Sequence, residues 1–244
     1  EGWLVDFSPQ QRRQAWKNGI EAFARLSKLD WRDGFEFLNR PDRGAPGLDQ
    51  YLEYLKEWHQ AVGQGRPMPY VDAALDYVLS HKPHSPPVNV LWGDPTPSNT
   101  MFNPDGSVAA LIDWELAALG PAEMDLAWWL YFDDLFSRRF KVQRLEGLPT
   151  REETIAIYEN VIGRKLTNFE YYDILAGLRM ALIAAGAFNR QVGIGNIRAD
   201  NKSLNDNLMT VYLAERLNMP IPELGVDFRD FMRNLTPVDE SADG

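Results

Sequence analysis

Val88-Asn-Val-Leu-Trp92-Gly93-Asp94-Pro-Thr-Pro-Ser-Asn99-Thr-Met101-Phe102, then Asn103-Pro-Asp-Gly106, then Val108-Ala-Ala-Leu-Ile112-Asp113-Trp-Glu115 is the stretch that decides the fold. Two short apolar runs each end on a polar group. Val88–Leu91 leads to Asp94 and Asn99, and Val108–Ile112 leads to Asp113. Between them Asn103-Pro-Asp-Gly106 is a turn signal, because proline fixes φ and glycine accepts positive φ. The simplest geometry is a small β-hairpin that brings Asn99 and Asp113 side by side, with Asp94 nearby on a loop stiffened by Pro95 and Pro97.

Such an arrangement suits phosphoryl transfer. That chemistry asks the protein for a carboxylate to orient the attacking hydroxyl and for oxygen ligands to a divalent ion on the nucleotide phosphates. Magnesium is small and hard and prefers carboxylate, amide oxygen and water. Asp94 can be the base, and Asn99 and Asp113 the ligands. Asp-x-x-x-x-Asn is also the spacing of the protein-kinase catalytic loop. Alone, a Gly-Asp-Pro is usually a turn and an aspartate after a strand is usually a cap. In this order and at this spacing the three residues read as one site.

Trp92-Gly93-Asp94-Pro-Thr-Pro-Ser-Asn99, Leu111-Ile112-Asp113-Trp-Glu115 and Gly120-Pro-Ala-Glu-Met-Asp125-Leu-Ala together resemble the aminoglycoside phosphotransferase and choline kinase family. Within it they look most like a bacterial subgroup related to the kinase part of acyl-CoA dehydrogenase family members 10 and 11. The resemblance implies an α+β, mostly α-helical fold: the carboxyl-terminal lobe of a protein-kinase-like enzyme carrying a small catalytic β-hairpin. It implies that Asp94 is the catalytic aspartate, that Asn99 and Asp113 bind Mg²⁺, and that Asp125 supports the loop from the following helix. Trp92, Gly93 and Glu115 complete the motifs in supporting positions. Met101, Phe102 and Ile112 fall where the family touches the adenine ring; core packing is the competing reading for them. The family usually has His where this chain has Trp92, and Gly where it has Ser98. Trp92 reads as a packing residue under the loop.

The implied activity moves the γ-phosphoryl of ATP, or GTP, to a hydroxyl of a small molecule. The amino-terminal lobe of such an enzyme, with its phosphate-covering loop and strand lysine, has no counterpart in this sequence and is expected upstream. A non-catalytic kinase-like binding module, or an inactive fragment lacking the nucleotide lobe, is the alternative. A metal-dependent hydrolase built on Asp94 and Asp113 is a third reading. The acceptor stays open among aminoglycosides, choline-like amines, sugars and hydroxy acids or hydroxyacyl thioesters.

Composition narrows the classes. Hydrophobic residues are 45% and charged residues 25% of the 244, as in an ordinary globular chain. No run of ~18 apolar residues marks a membrane span. There is no cysteine, which excludes disulfides, a thiol nucleophile and thiolate metal sites and fits the cytoplasm. Lys and Arg total 25 against 35 Asp and Glu, a net charge of −10, which argues against nucleic acid as a partner.

Along the chain, Ser8-Pro9-Gln-Gln11 opens a helix whose Trp16, Ile20, Phe23 and Leu26 face inward to about Leu29. Residues 30–48 form a turn-rich loop, followed by helices over 48–58 and 70–80. A helix begins at Gly120-Pro121, with acidic Asp133 and Asp134 at its far end, where they could face a substrate. Thr150-Arg-Glu-Glu153 and Thr167-Asn-Phe-Glu170 are capping boxes. The second opens a long helix whose Ala176, Gly177, Ala181 and Ala184 let a neighbour come close. A last helix spans 202–217. Residues 1–236 are expected to be one kinase-like lobe and 237–244 a disordered tail.

Overall fold

The computed structural model describes residues 3–235; the expected tail at 237–244 lies outside them. The chain divides into two compact units. One comprises the chain up to Tyr54 together with Lys82–Ala176; the other comprises Leu55–His81 and the chain from Gly177 onward.

The first unit carries the β-structure. Helix α1 (Pro9–Ala24) starts where the sequence dictates. Ser8 Oγ accepts from Gln11 N–H, and the Gln11 side chain accepts from Ser8 N–H, a complete capping box. It ends sooner than expected and tightens into a 3₁₀ turn over Arg25–Lys28. Helix α2 (Leu48–Gly63) follows the turn-rich loop, and α3 (Pro69–Ser80) belongs to the second unit. Four short strands come next: β1 (Asn89–Leu91), β2 (Thr100–Phe102), β3 (Val108–Leu111) and β4 (Ala118–Gly120).

The hairpin is β2 with β3, antiparallel, with Thr100 opposite Leu111, Met101 opposite Ala110, and an irregularity before Phe102. The first apolar run does not join it. β1 pairs with β4, setting Asn89 opposite Gly120 and Leu91 opposite Ala118. Gly120 is therefore the end of a strand, and helix α4 (Glu123–Asp134) begins three residues later. A three-residue strand leaves too short an alternation to be read from sequence, so β4 escaped notice. α4 runs into a π-helical turn over Leu135–Arg139.

Helix α5 (Arg151–Ile162) packs on α1. Its capping box on Thr150 and Glu153 is complete. Trp16 Nε1–H donates to Thr154 Oγ1 at 3.0 Å, so a buried polar pair fixes the register of the two helices. Around them lies an aromatic core of Trp16, Phe23, Trp92, Trp129 and Tyr158, with Ile20, Leu126 and Leu130 between. Tyr158 reaches out of it to donate to the Ala122 carbonyl at 2.8 Å.

Helix α6 (Phe169–Gly193) begins one residue later than a Thr167 cap would require, because Asn168 sits at φ 54 and cannot be its first turn. By length and composition α6 could cross a membrane, yet 89% of that apolar window is buried in the protein, as in a core helix. In the second unit α3 packs on α7 (Leu208–Arg216), which Asn207 caps. The expected single helix over 202–217 is thus a short 3₁₀ turn, a break and α7, because Asn207 spends its side chain on the N–H groups of Met209 and Thr210. Gly177 is where the small-residue stripe acts: a Cβ there would lie 2.7 Å from the Tyr212 ring. A further helix, α8 (Val226–Leu235), was not foreseen.

Candidate active site

Trp92 to Asp94 leaves β1 into a loop that the first turn of α4 grips. The Asp125 carboxylate accepts from Trp92 N–H at 2.8 Å and from Gly93 N–H at 3.1 Å. Asp125 is buried, so its charge is held by these two donors and by the positive end of the helix. Gly93 has φ 90, and a Cβ on it would overlap the carbonyl oxygen of Leu116. Only glycine fits there.

Asp94 follows, partly buried, with a donor on each carboxylate oxygen. Trp128 Nε1–H donates to Oδ1 at 2.6 Å, and Asn99 Nδ2–H donates to Oδ2 at 2.7 Å. The same Asn99 amide also donates to the Asp94 carbonyl at 3.1 Å. Pro97–Asn99 is a 3₁₀ turn in which Thr96 Oγ1 accepts from Asn99 N–H at 3.3 Å and pairs with Ser98 Oγ at 2.8 Å. The loop is stiff through these bonds as well as through its prolines.

The hairpin then brings Asn99 to the neighbourhood of Asp113. Ile112 N–H donates to the Asn99 carbonyl at 3.0 Å, one step beyond the last paired residues of β2 and β3. Trp92, fully buried, sends its indole N–H to the Ile112 carbonyl at 2.8 Å. Its role thus exceeds packing, since it fixes the residue before Asp113. Asp113 itself is exposed at φ 61, a left-handed conformation uncommon for a side chain with a Cβ. Such outliers cluster at functional sites. Trp114 turns back, its indole N–H on the Leu111 carbonyl at 2.7 Å, and Glu115 is exposed.

Of the apolar candidates, Met101 and Ile112 are exposed, at 53% and 41%. Phe102 is directed differently. Its ring lies 3.4 Å from where a Cβ on Gly19 of α1 would stand. The acidic end of α4 is paired: Asp133 with Arg144, and Asp134 with Arg138 and Arg139. Those partners account for both carboxylates without a substrate.

Sequence reasoning did not single out Trp128 and missed its bond to Asp94. A clue existed, because a buried tryptophan usually finds a partner for its indole N–H.

The donor set suits magnesium bound with nucleotide phosphates better than a dedicated protein cage. Among the described residues no three His, Cys, Asp or Glu side chains converge as a metal site. Magnesium commonly takes one or two protein ligands and completes its shell with phosphate and water. Asn99 commits its amide N–H groups to Asp94, which leaves Oδ1 as the atom that could hold a metal. The Asp113 carboxylate has no hydrogen-bond partner among the described residues.

Residues 3–156 match the model of the phosphotransferase enzyme family. The chain belongs to this family. Among curated relatives, acyl-CoA dehydrogenase family member 11 of Rattus norvegicus is 26% identical over 97% of the chain. Family member 10 of Mus musculus is 28% identical over 51% of it. The chain spans only 30% of the rat protein's length and 12% of the mouse protein's. A solved structure from Ralstonia eutropha JMP134, provisionally described as an aminoglycoside phosphotransferase, superposes with TM-score 0.70 at 22% identity, covering 87% of this chain and 67% of that one. Macrolide 2'-phosphotransferase MphH of Brachybacterium faecium follows at TM-score 0.50 and 15% identity, over 88% of this chain and 64% of that one. The chain thus has a kinase-like, mostly helical α+β fold.

Proposed function

We propose that this phosphotransferase moves the γ-phosphoryl of ATP to a hydroxyl of a small molecule, with Asp94 as the base and Asn99 and Asp113 as the ligands of Mg²⁺. The observation that carries the reading is the contrast within the site. Asp94 has a donor on each oxygen. Asp113, two residues past the end of β3, is exposed, in a left-handed backbone and without a protein partner among the described residues. A base benefits from fixed orientation, and a metal ligand from an open carboxylate.

In this reading the Asp94 carboxylate takes the proton of the acceptor hydroxyl. The acceptor oxygen bonds to the γ-phosphorus as the bridging bond to the β-phosphate breaks, and ADP leaves with that electron pair. Magnesium, when bound, would supply charge neutralisation on the phosphates. Met101 and Ile112, exposed beside the ligands, would meet the nucleotide base. The reaction would run in the cytoplasm, where ATP is available.

The test is a screen of hydroxylated metabolites with Mg-ATP, read as phosphorylated acceptor. Asp94→Asn should lower turnover by about 10²–10⁴-fold, the ordinary worth of a general base, and leave ATP binding within about twofold. Undiminished turnover would remove Asp94 from the role. Free phosphate with no phosphorylated acceptor would make the protein a hydrolase.

A further inference from the structure

Asp125 and Trp128 stand three residues apart on α4, so they share one helix face. That face meets the loop Trp92-Gly93-Asp94 with opposite polarities. Asp125 accepts from the backbone N–H groups of Trp92 and Gly93, and one turn later Trp128 donates to the Asp94 carboxylate. The indole is itself held: it is 2% exposed, with the Phe132 ring edge-on at 5.2 Å between centroids. The next residue sharpens the point. Trp129 is as deeply buried, yet its Nε1 has no hydrogen-bond partner among the described residues, so burial alone does not place a partner on an indole of this helix.

We propose that Trp128 is a positioning residue for Asp94. Two donors from different elements, Asn99 on the loop and Trp128 on α4, occupy different oxygens of one carboxylate. Together they fix both side-chain torsions of Asp94; either alone leaves the carboxylate plane free to turn. Indole N–H is a donor only and exchanges no proton with a carboxylate, so Asp94 remains an acceptor towards the incoming hydroxyl. Asn99 has a second task in the reading above, as a ligand through Oδ1, and Trp128 has none. The inference rests on Asp94 being the base, but its geometry can be tested without turnover.

The experiment is NMR on the 244-residue chain, comparing wild type with Trp128→Phe. The probes are the side-chain amide protons of Asn99, which bond Asp94, and the indole N–H of Trp92, which bonds the Ile112 carbonyl instead. If Trp128 positions Asp94, its loss shifts the Asn99 amide protons upfield and speeds their exchange, while Trp92 keeps its position. An unmoved Asn99 overturns the proposal. So does movement of both probes together, which would mean that Trp128 merely supports the loop. Should Trp128→Phe fail to fold, replacing Trp128 with 3-benzothienylalanine removes the N–H while keeping the ring shape, and the same two signals decide. Transfer from Mg-ATP, read as phosphorylated acceptor, should fall about tenfold with KM for ATP unchanged. Absence of a phosphorylated acceptor with the wild type would strike at the phosphotransferase reading and leave the NMR result standing.

Discussion

Two segments of the first unit end in an aspartate, and the protein treats them in opposite ways. The loop before Asp94 is bonded at every step: Asp125 holds Trp92 and Gly93, Trp128 and Asn99 hold Asp94, and Thr96 holds Asn99. The segment around Asp113 is held through its neighbours, Ile112 by Asn99 and the Trp92 indole and Trp114 by Leu111, while its own carboxylate has no partner among the described residues. The same residue type is bound where a fixed direction matters and left open where a ligand would complete it. Bonds that hold a carboxylate stabilise the fold, so the two segments should respond to mutation on different scales.

The largest effect belongs to Gly93. A Cβ there overlaps the Leu116 carbonyl oxygen, and φ 90 is closed to other residues. Gly93→Ala should cost about 4 kcal/mol or more, at the far end of single-substitution effects. Asp125→Ala comes next. It leaves two N–H groups without their acceptor in the core, at ~1–3 kcal/mol each. In a protein of this size that is a fall of about 10 °C in Tm, readable by calorimetry. A shift of only a degree or two would mean that water replaces the carboxylate, and that the loop is less tightly held than its bonds suggest.

How far the sequence foretold this contrast depends on the range of the interactions. The hairpin turn, Asn99, Asp113 and the caps on Ser8 and Thr150 are local features, written in neighbouring residues. The pairing of β1 with β4 joins Asn89 to Gly120, a non-local choice that three-residue strands do not advertise. The bond from Trp128 to Asp94 spans 34 positions and was invisible for the same reason. Phe102 and Met101 looked alike in sequence. They part because successive strand residues face opposite ways, and an irregularity falls between them. The left-handed backbone of Asp113 has no signature in its own residue type beyond the tolerance of aspartate for that conformation.

The Asp113 side of the comparison predicts the reverse of the first two effects. Asp113→Gly removes a carboxylate with no protein partner among the described residues and relieves a positive φ, against the greater chain entropy of glycine. Stability should stay within about 1 kcal/mol of wild type. The magnesium-dependent thermal shift with ATP should vanish. A large loss of stability would show Asp113 to be a structural residue after all.

Glu153 supplies the smallest effect and separates being held from being buried. Arg13 holds its carboxylate with two hydrogen bonds, at 2.6 and 3.2 Å, and Thr150 N–H adds a third at 2.8 Å. Together, Arg13 first, they bring its pKa down from 4.5 to about 2. Unlike Asp125 it lies at the surface, its side chain 43% exposed. Water and salt screen such a pair, so its tie should be worth far less than that of Asp125. Because the folded pKa is depressed, the stabilisation is complete above the unfolded value near 4.5 and is lost as pH falls towards 2. Glu153→Gln should therefore melt slightly below wild type at pH 7, and the gap should close progressively as pH falls from 4.5 towards 2. A gap that stayed constant with pH would assign the loss to the capping box on Thr150, which glutamine also completes imperfectly, and not to the charge that Arg13 neutralises.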